Sequence, residues 1–453
     1  MKKLWRGKAA LVSVIFALAL PTMIEQILQT LVQYIDTAMV GSLGTAATAA
    51  VGSTVTINWL INSTISALGV GFLAYISQKI GAKDFKSAGE ASAQAVIAVL
   101  VSGVFFTLLT LSLSGYVPIW MQVEECVRGM ASEYFFILYA PMLFRAATII
   151  FGTLLRAAGD TKTPMKIGIW VNIINVVLNF FLIYPTRNIF GIKVFGVGLG
   201  VQGAALASAI SFIVGGILIT VALFNHPILS PKGRTLKPNW KVLKPCLKVA
   251  LPNALQRFGT SLGYVAFAAM INSIGEIATA AHTVANTVES AFYIPGYGMQ
   301  TAAATLSGNA FGAKDKEGIK KLGRTIIIIE TILMIISGSL LFIFAESMMG
   351  LFIKDIAVIK LGTTVLKMVA LSEPFYGIPI IIEGMMQGMG KTITPFIFNI
   401  IGMWGVRIVG TFIFINILGL GLVSAWTAMI AHNLLLFILF SIHYLRGKWN
   451  PLK

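Results

Sequence analysis

Charged residues are scarce in this chain. Asp, Glu, Lys and Arg make up 11% of 453 residues, where a soluble domain carries about 25%. So few charges could not cover the surface of a soluble protein that is 57% hydrophobic, and the mean hydropathy is +0.85; a water-soluble fold is excluded. Cysteine is rarer still: Cys126 and Cys246 are the only two, which excludes a disulfide framework. The four histidines, His226, His282, His432 and His443, have no metal-ligand spacing. No nucleophile–base constellation appears, so enzyme activity is not expected.

What the chain has is apolar length. Runs of about 20 residues, the span of a membrane helix, recur near 11–36, 47–72, 90–112, 130–153, 163–185, 200–224, 246–272, 279–305, 322–345, 362–388, 393–416 and 421–445. They are too long for barrel strands and lack the period-two alternation of strands. The formal charge of +17 could indicate a nucleic-acid partner, but its placement does not. Numbering the runs alternately inward and outward puts 25 of the 34 basic residues on one side, including Lys2, Lys3, Arg6 and Lys8 before the first run and Lys453 after the last. The other side holds five: Arg128, Arg187, Lys193, Lys354 and Lys360. The positive-inside rule places both termini in the cytoplasm of a multi-pass protein of the inner (cytoplasmic) membrane. Cys126 then falls in an outer loop and Cys246 on the cytoplasmic side. The N-terminal segment has the look of a signal peptide without a small-residue cleavage site, so it is expected to stay as the first helix.

The chain is written twice. IGAKDFKSAGE (80–90) returns as FGAKDKEGIKK (311–321), ALALPTM (17–23) as LKVALPN (247–253), and AAGDTKTP (157–164) as GMGKTITP (388–395), all at an offset of 231. GLGVQGAALA (198–207) returns as GLGLVSAWTA (419–428) at 221, because the second copy has a shorter loop between its fifth and sixth helices. The expected fold is an all-α polytopic membrane protein of twelve transmembrane helices in two six-helix lobes. Six is even, so the copies are parallel repeats about an axis along the membrane normal. The domains read as an N-terminal lobe 1–225, a basic, Pro-rich cytoplasmic linker 226–245 and a C-terminal lobe 246–453. Two lobes with a substrate path between them is transporter architecture.

YIDTAMVGSLG (34–44), GAKD after the second and eighth helices, and GTLLRAAGDTKTP (152–164) resemble the multidrug and toxic compound extrusion (MATE) family, in its DinF-like branch, over nearly the whole chain. The resemblance implies export of bulky, often cationic amphiphiles by antiport against Na⁺ or H⁺. It implies no cofactor beyond the coupling ion, small-molecule substrates, the lipid bilayer as the surroundings and no nucleic-acid partner. A monomer is expected.

The repeat provides an internal control for the site. Glu25, Gln29, Gln33 and Asp36 share one face of the first helix. Glu25 faces Gln256 in the second copy, so polarity there recurs. Asp36 faces Phe267, Asn175 faces Val406, Asn179 faces Gly410, and Ser208 faces Met429 at offset 221. Four oxygen-bearing positions of one lobe are therefore apolar or Gly in the other. An intramembrane carboxylate is costly and marks function by default. Asp36 with two amides and a hydroxyl is a set that Na⁺ or a proton would accept, and in the MATE family the first-helix Asp and the fifth-helix pair belong to the cation site. Many relatives carry Asp where Asn179 stands, which leaves less negative charge beside Asp36.

In the second lobe Glu289 and Glu383 are candidates for binding a cationic substrate, with Tyr293, Tyr297, Tyr376, Met299 and Met386 as apolar and aromatic lining. Pairing with His282 or Arg257 is the alternative for Glu289, and helix packing beside GMMQG (384–388) for Glu383. Pro21 gives the first helix a bend point. GLGVQG (198–203) matches a dinucleotide fingerprint but opens a membrane helix, which excludes that reading. A flippase for a lipid-linked oligosaccharide or peptidoglycan precursor is the alternative function. Its anionic cargo would favour clustered basic residues, whereas Arg145, Arg257, Lys367 and Arg407 are scattered over four helices. A channel would keep a polar lining in both copies, and these copies differ.

Overall fold

The computed structural model describes residues 8–121, 123–189 and 191–452. Lys2, Lys3, Arg6 and Lys453 of the charge count lie outside the described residues. Every one of the twelve apolar runs is helical, because in hydrocarbon a backbone must satisfy its own hydrogen bonds.

In chain order the first copy comprises α1 (Lys8–Gly41), α2 (Thr45–Gly52), α3 (Val55–Gly81), α4 (Phe85–Leu113), α5 (Val117–Trp120), α6 (Glu125–Tyr139), α7 (Met142–Ala157), α8 (Lys162–Leu182), strands β1 (Pro185–Ile189) and β2 (Ile192–Val197), and α9 (Val201–Phe224). The second comprises α10 (Trp240–Asn272), α11 (Glu276–Phe292), α12 (Ile294–Gly312), α13 (Lys316–Phe352), α14 (Ile356–Ala370), α15 (Glu373–Gly388), α16 (Ile393–Ile400), α17 (Val409–Phe412) and α18 (Leu422–Leu445). Wider π-type turns at Ile401–Ile408 and Ile413–Ile417 make 393–417 one continuous helix.

Among the described residues eight helices are long and apolar enough to span a membrane by themselves. Two bent pairs bring the number to ten: α6–α7, bent by 50°, and α14–α15, bent by 54°. Pro141 stands at the first bend and Pro374 just after the second, where each removes a backbone donor. The other two segments are α10, which carries Lys241, Lys244, Lys248 and Arg257, and α11–α12, which carries Glu276, His282 and Glu289. Their charge lowers the hydropathy of segments that the repeat nevertheless requires to match the first and second helices.

Turn geometry repeats with the sequence. Lys83 (φ 61°) and Lys314 (φ 55°), 231 apart in the two GAKD turns, both hold the left-handed conformation that side chains seldom adopt. Gly159 (φ 87°) and Gly390 (φ 79°) do the same after α7 and α15.

The chain divides into two compact units, 1–23 with 73–84 and 247–453, and 24–72 with 85–246. Along the chain the main boundary between the units falls at 246/247. Two details differ from the expected 1–225/226–245/246–453 partition. Residues 8–23 and the end of α3 belong to the C-terminal unit, and the linker packs with the N-terminal unit. The cause is packing. Leu11, Ile15, Leu18, Ala19 and Met23 join the core of the C-terminal unit with Met299, Ala303, Ile326 and Met385. The linker is tied to α4 by Gln94, whose amide donates to Lys237 O at 2.9 Å and accepts from Asn239 N at 2.8 Å. α1 stays helical through Pro21, and the unit boundary falls two residues beyond it.

Inside the C-terminal unit the end of α3 crosses α12 with repeat symmetry. A Cβ on Gly81 would strike the Asn309 backbone, one on Gly312 the Gln78 backbone, and one on Gly308 the Ser77 side chain. Positions 77/308, 78/309 and 81/312 are each 231 apart, so Ser77 meets its own equivalent, Gly308, and the Gly81–Asn309 and Gly312–Gln78 contacts are repeat images of each other. Gln78 Nε2 also donates to Gly388 O at 3.0 Å. One departure from the all-α expectation is the β1–β2 hairpin, antiparallel with Arg187 opposite Val194. It lies in the loop that the repeat showed to be longer in the first copy.

Candidate functional site

Asp36 stands near the end of α1. Asn175 and Asn179, one turn apart on α8, present their amides to it, and Ser208 of α9 completes the group. All four sequence-predicted residues are therefore together. Asn179 Nδ2 donates to Asp36 Oδ1 at 2.5 Å. Asn179 is 1% exposed and Asn175 6%, while Asp36 and Ser208 are half-buried.

The Asn175 amide touches Asp36 with one end and Ser208 Oγ, at 3.2 Å, with the other. With its oxygen toward Asp36 it accepts from Asn179 Nδ2 at 3.1 Å and donates to Ser208. With its nitrogen toward Asp36 it donates to the two carboxylate oxygens at 2.9 and 3.2 Å. Asn179 Oδ1 is buried without a hydrogen-bond partner. The site thus offers a carboxylate and an uncommitted amide oxygen, the donor chemistry that suits a proton or a small hard cation.

Nearby, sequence reasoning overlooked a second polar group. Tyr139, on α6 and fully buried, donates to Asn58 Oδ1 of α3 at 3.1 Å. Arg145 of α7 is buried with its guanidinium 4.5 Å from the Phe212 ring and 5.9 Å from the Tyr139 ring. The available signal was three polar residues inside otherwise apolar runs.

Glu25, at the other end of the polar stripe, has a partner. Both its oxygens accept from Arg156 Nη2, at 2.7 and 2.6 Å, with side-chain exposures of 11% and 17%. The equivalent place in the C-terminal unit is built differently. Gln256 and Gln387 replace Glu25 and Arg156, and the carboxylate is Glu383. Its Oε1 accepts from Gln256 Nε2 and Gln387 Nε2, both at 2.9 Å, and its Oε2 from Asn399 Nδ2 at 3.0 Å. Asn399 is the repeat equivalent of Gly168, which lies beside Glu25. Each unit therefore has one carboxylate at this node, neutralised by arginine in one and held by three amides in the other. Three donors occupy Glu383, so its oxygens are engaged within the unit.

Glu289 of α11 is buried (7% exposed). Neither His282 nor Arg257 bonds to it; His282 packs edge-on against Phe267 and Trp426, and Arg257 Nε donates to Asn253 Oδ1 at 2.9 Å. Tyr293, Tyr297 and Tyr376 form one cluster. Tyr293 lies 5.7 Å from Tyr297 and 5.5 Å from Tyr376, ring centre to ring centre, and the Tyr297 and Tyr376 hydroxyls are 3.2 Å apart. Met299 and Met386 do not join it. Both are fully buried in the core of the C-terminal unit and present no surface to a ligand in this conformation. In this conformation they serve packing, where a lining role was expected. Glu330 of α13 and Glu373 of α15, 0% and 2% exposed, were missed. A carboxylate inside each of the apolar runs 322–345 and 362–388 was the overlooked signal. Among the described residues no group of three or more His, Cys, Asp or Glu is placed to hold a metal ion.

Two parallel six-helix repeats with carboxylates held inside apolar helices define a multi-pass membrane transporter rather than an enzyme. The MatE family pattern matches residues 21–181 and 252–413, two matches that begin 231 residues apart. The chain belongs to the MatE family of transporters. It is 29% identical over 433 residues to the "Probable multidrug resistance protein NorM" of Thermotoga maritima, covering 96% of this chain and 92% of that one. It is 24% identical over 380 residues to the "Multidrug export protein MepA" of Staphylococcus aureus, covering 83% and 81%. In fold it is similar to a MOP superfamily transporter from Pyrococcus furiosus, with a TM-score of 0.90 at 24% identity over 99% of this chain and 98% of that one.

Proposed function

We propose that the protein exports organic, often cationic amphiphilic compounds, drugs among them, by antiport against Na⁺ or H⁺ through alternating access. Asp36 with Asn175, Asn179 and Ser208 receives the coupling cation. The observation that carries this reading is that the four residues converge at one point in the N-terminal unit and that none has a polar equivalent in the second repeat. Cation binding at Asp36 shifts α1, lowers affinity for the exported compound and releases it outward. Coupling of this kind needs only that the two conformations bind cation and substrate with different affinity. Glu289 and the Tyr293–Tyr297–Tyr376 cluster supply charge and aromatic faces for an organic cation. The protein works as a monomer in the inner membrane with both termini cytoplasmic, without a cofactor.

A flippase reading is disfavoured by the buried arginines. Arg145 stacks on Phe212, and Arg407 lies 4.2 Å from the Phe267 ring and 4.8 Å from the Tyr264 ring with a contact to Met429 Sδ. Arginines committed to aromatic faces in this way form no basic patch for a pyrophosphate. Asp36→Asn tests the proposal: dye efflux from cells should be abolished while membrane insertion and protein yield are kept. Efflux at the wild-type rate in that variant would sink it.

A further inference from the structure

Glu330 is the one charged residue of 325–345, the apolar middle of α13, a helix packed against α11, α12, α14 and α15. Its side chain is 0% exposed, and neither carboxyl oxygen has a hydrogen-bond partner. It fits because its neighbours lack side chains. Glu330 Oε1 lies 3.0 Å from where a Cβ would stand on Gly296 of α12 and equally 3.0 Å from that position on Gly377 of α15. The carboxyl head is thus wedged between two glycines, with Met334 and Ile380 closing the slot.

A second acid borders the same contact. Glu373 lies one turn of α15 before Gly377, about 6 Å along the axis. It is 2% exposed, its Oε2 has no partner, and its Cβ lies against Gly338 of α13. Neither acid has a counterpart in the first copy, where the equivalent residues are Val99 and Met142. Among the described residues no ion pair reaches Glu373 or Glu330. On the elements packed against α13 the remaining groups are Glu276 and His282 on α11, Tyr293 just before α12 and Tyr297 on it, Lys360 and Lys367 on α14, and Tyr376 and Glu383 on α15. Lys367 lies over the Phe342 ring at 5.6 Å, about 18 Å along α13 from Glu330. Arg407 is stacked on the Tyr264 and Phe267 rings. No cation therefore neutralises Glu330.

An ionised carboxylate cannot remain in such a place: with no donor and no counter-ion, burial costs more than protonation does. A sodium ion, which needs several oxygens around it, has no room in a slot already filled by the carboxyl. We propose that Glu330 and Glu373 are a proton-holding pair in the C-terminal unit, separate from the Asp36 site, and that the α13–α15 contact forms only when Glu330 carries its proton. The proton adds to a carboxylate oxygen to give the neutral acid that the slot accepts. When α15 moves off α13, water reaches the group, the O–H bond breaks to the solvent, and the charged form cannot re-enter. The 54° bend between α14 and α15, immediately before Glu373, gives α15 a point about which to move. The two copies then handle cations differently, Asp36 among amides in one and neutral acids against glycine in the other.

The test is infrared spectroscopy of the purified full-length protein in lipid nanodiscs across neutral pH, reading the carboxylic-acid C=O stretch apart from the carboxylate bands. The wild type should show neutral-acid intensity that falls by one carboxyl in Glu330→Gln and by a further one in Glu330→Gln/Glu373→Gln. Asp36→Asn should leave those two components in place, which separates this proposal from the one about Asp36. Glu330→Gln is close in shape to the neutral acid and should keep or raise the apparent Tm. Glu330→Met, apolar and of similar length, gives the same reading if the Gln variant fails to fold. Unchanged neutral-acid intensity on loss of Glu330, in either variant, would overturn the proposal. So would a neutral-acid signal that Asp36→Asn alone removes entirely.

Discussion

Removing Arg156 should strand Glu25, and the size of the effect follows from the geometry. The two Glu25 oxygens lie 2.7 and 2.6 Å from a single guanidinium nitrogen, with both side chains more than four-fifths shielded from water. Breaking a shielded ion pair by deleting one partner costs about 3–5 kcal/mol, most of it the penalty for the charge left behind. Arg156→Gln and Glu25→Gln should each lower the apparent Tm of the detergent-solubilised protein by several degrees. The double variant, with Gln at both places, copies what the second repeat has at Gln256 and Gln387. Two amides can bond to one another and neither is charged, so the double should return to within about 1 kcal/mol of wild type. The double-mutant cycle then gives a coupling of several kcal/mol. A double variant whose loss equals the sum of the singles would refute the reasoning, since Glu25 and Arg156 would then act independently.

Other expectations follow from the close crossings and the linker. Gly312→Ala should cost about 1–3 kcal/mol, because its Cβ would strike the Gln78 backbone; Gly41→Ala, with open space around it, is the neutral control in the same Tm assay. His226 follows α9, and its Nδ1 accepts from Ile228 N at 3.2 Å and Leu229 N at 3.1 Å. Burial holds its pKa below the ordinary histidine value, against a smaller opposing pull from Asp160. The unfolded turn therefore binds the proton more readily than the folded one, so the turn is firm above the ordinary histidine pKa and loosens as pH falls through it. Hydrogen exchange at the Ile228 and Leu229 amides should speed up on acidification beyond the intrinsic pH trend, and His226→Asn, which keeps a side-chain acceptor, should remove that excess.

The twelve runs and their pairing by repeat were legible because hydrocarbon demands long helices and because one offset of 231 runs through three motifs. The Asp36 group was legible for a related reason: polar residues in apolar helices stand out, and the second copy shows which of them the fold can do without. Packing was harder to read. Nothing in ALALPTM says that residues 8–23 belong to the C-terminal unit, since that depends on Gly298 admitting Met23. Met299 and Met386 have the composition of a flexible ligand surface, yet they fill the core because methionine serves both purposes equally well. Glu330 was hidden by its own run: four isoleucines precede it, and single-letter hydropathy averages the carboxylate away. The glycines that make room for it are 34 and 47 residues distant in sequence and become informative only when α12, α13 and α15 are together.

The most direct test of cation coupling uses the purified protein in sealed lipid vesicles, with a Na⁺ gradient or a pH gradient imposed alone and a fluorescent organic cation as the probe. One of the two gradients should drive accumulation of the probe against its own gradient, and Asp36→Asn should abolish that accumulation. Movement of the probe that neither gradient changes, or gradient-driven transport that survives Asp36→Asn, would contradict the account.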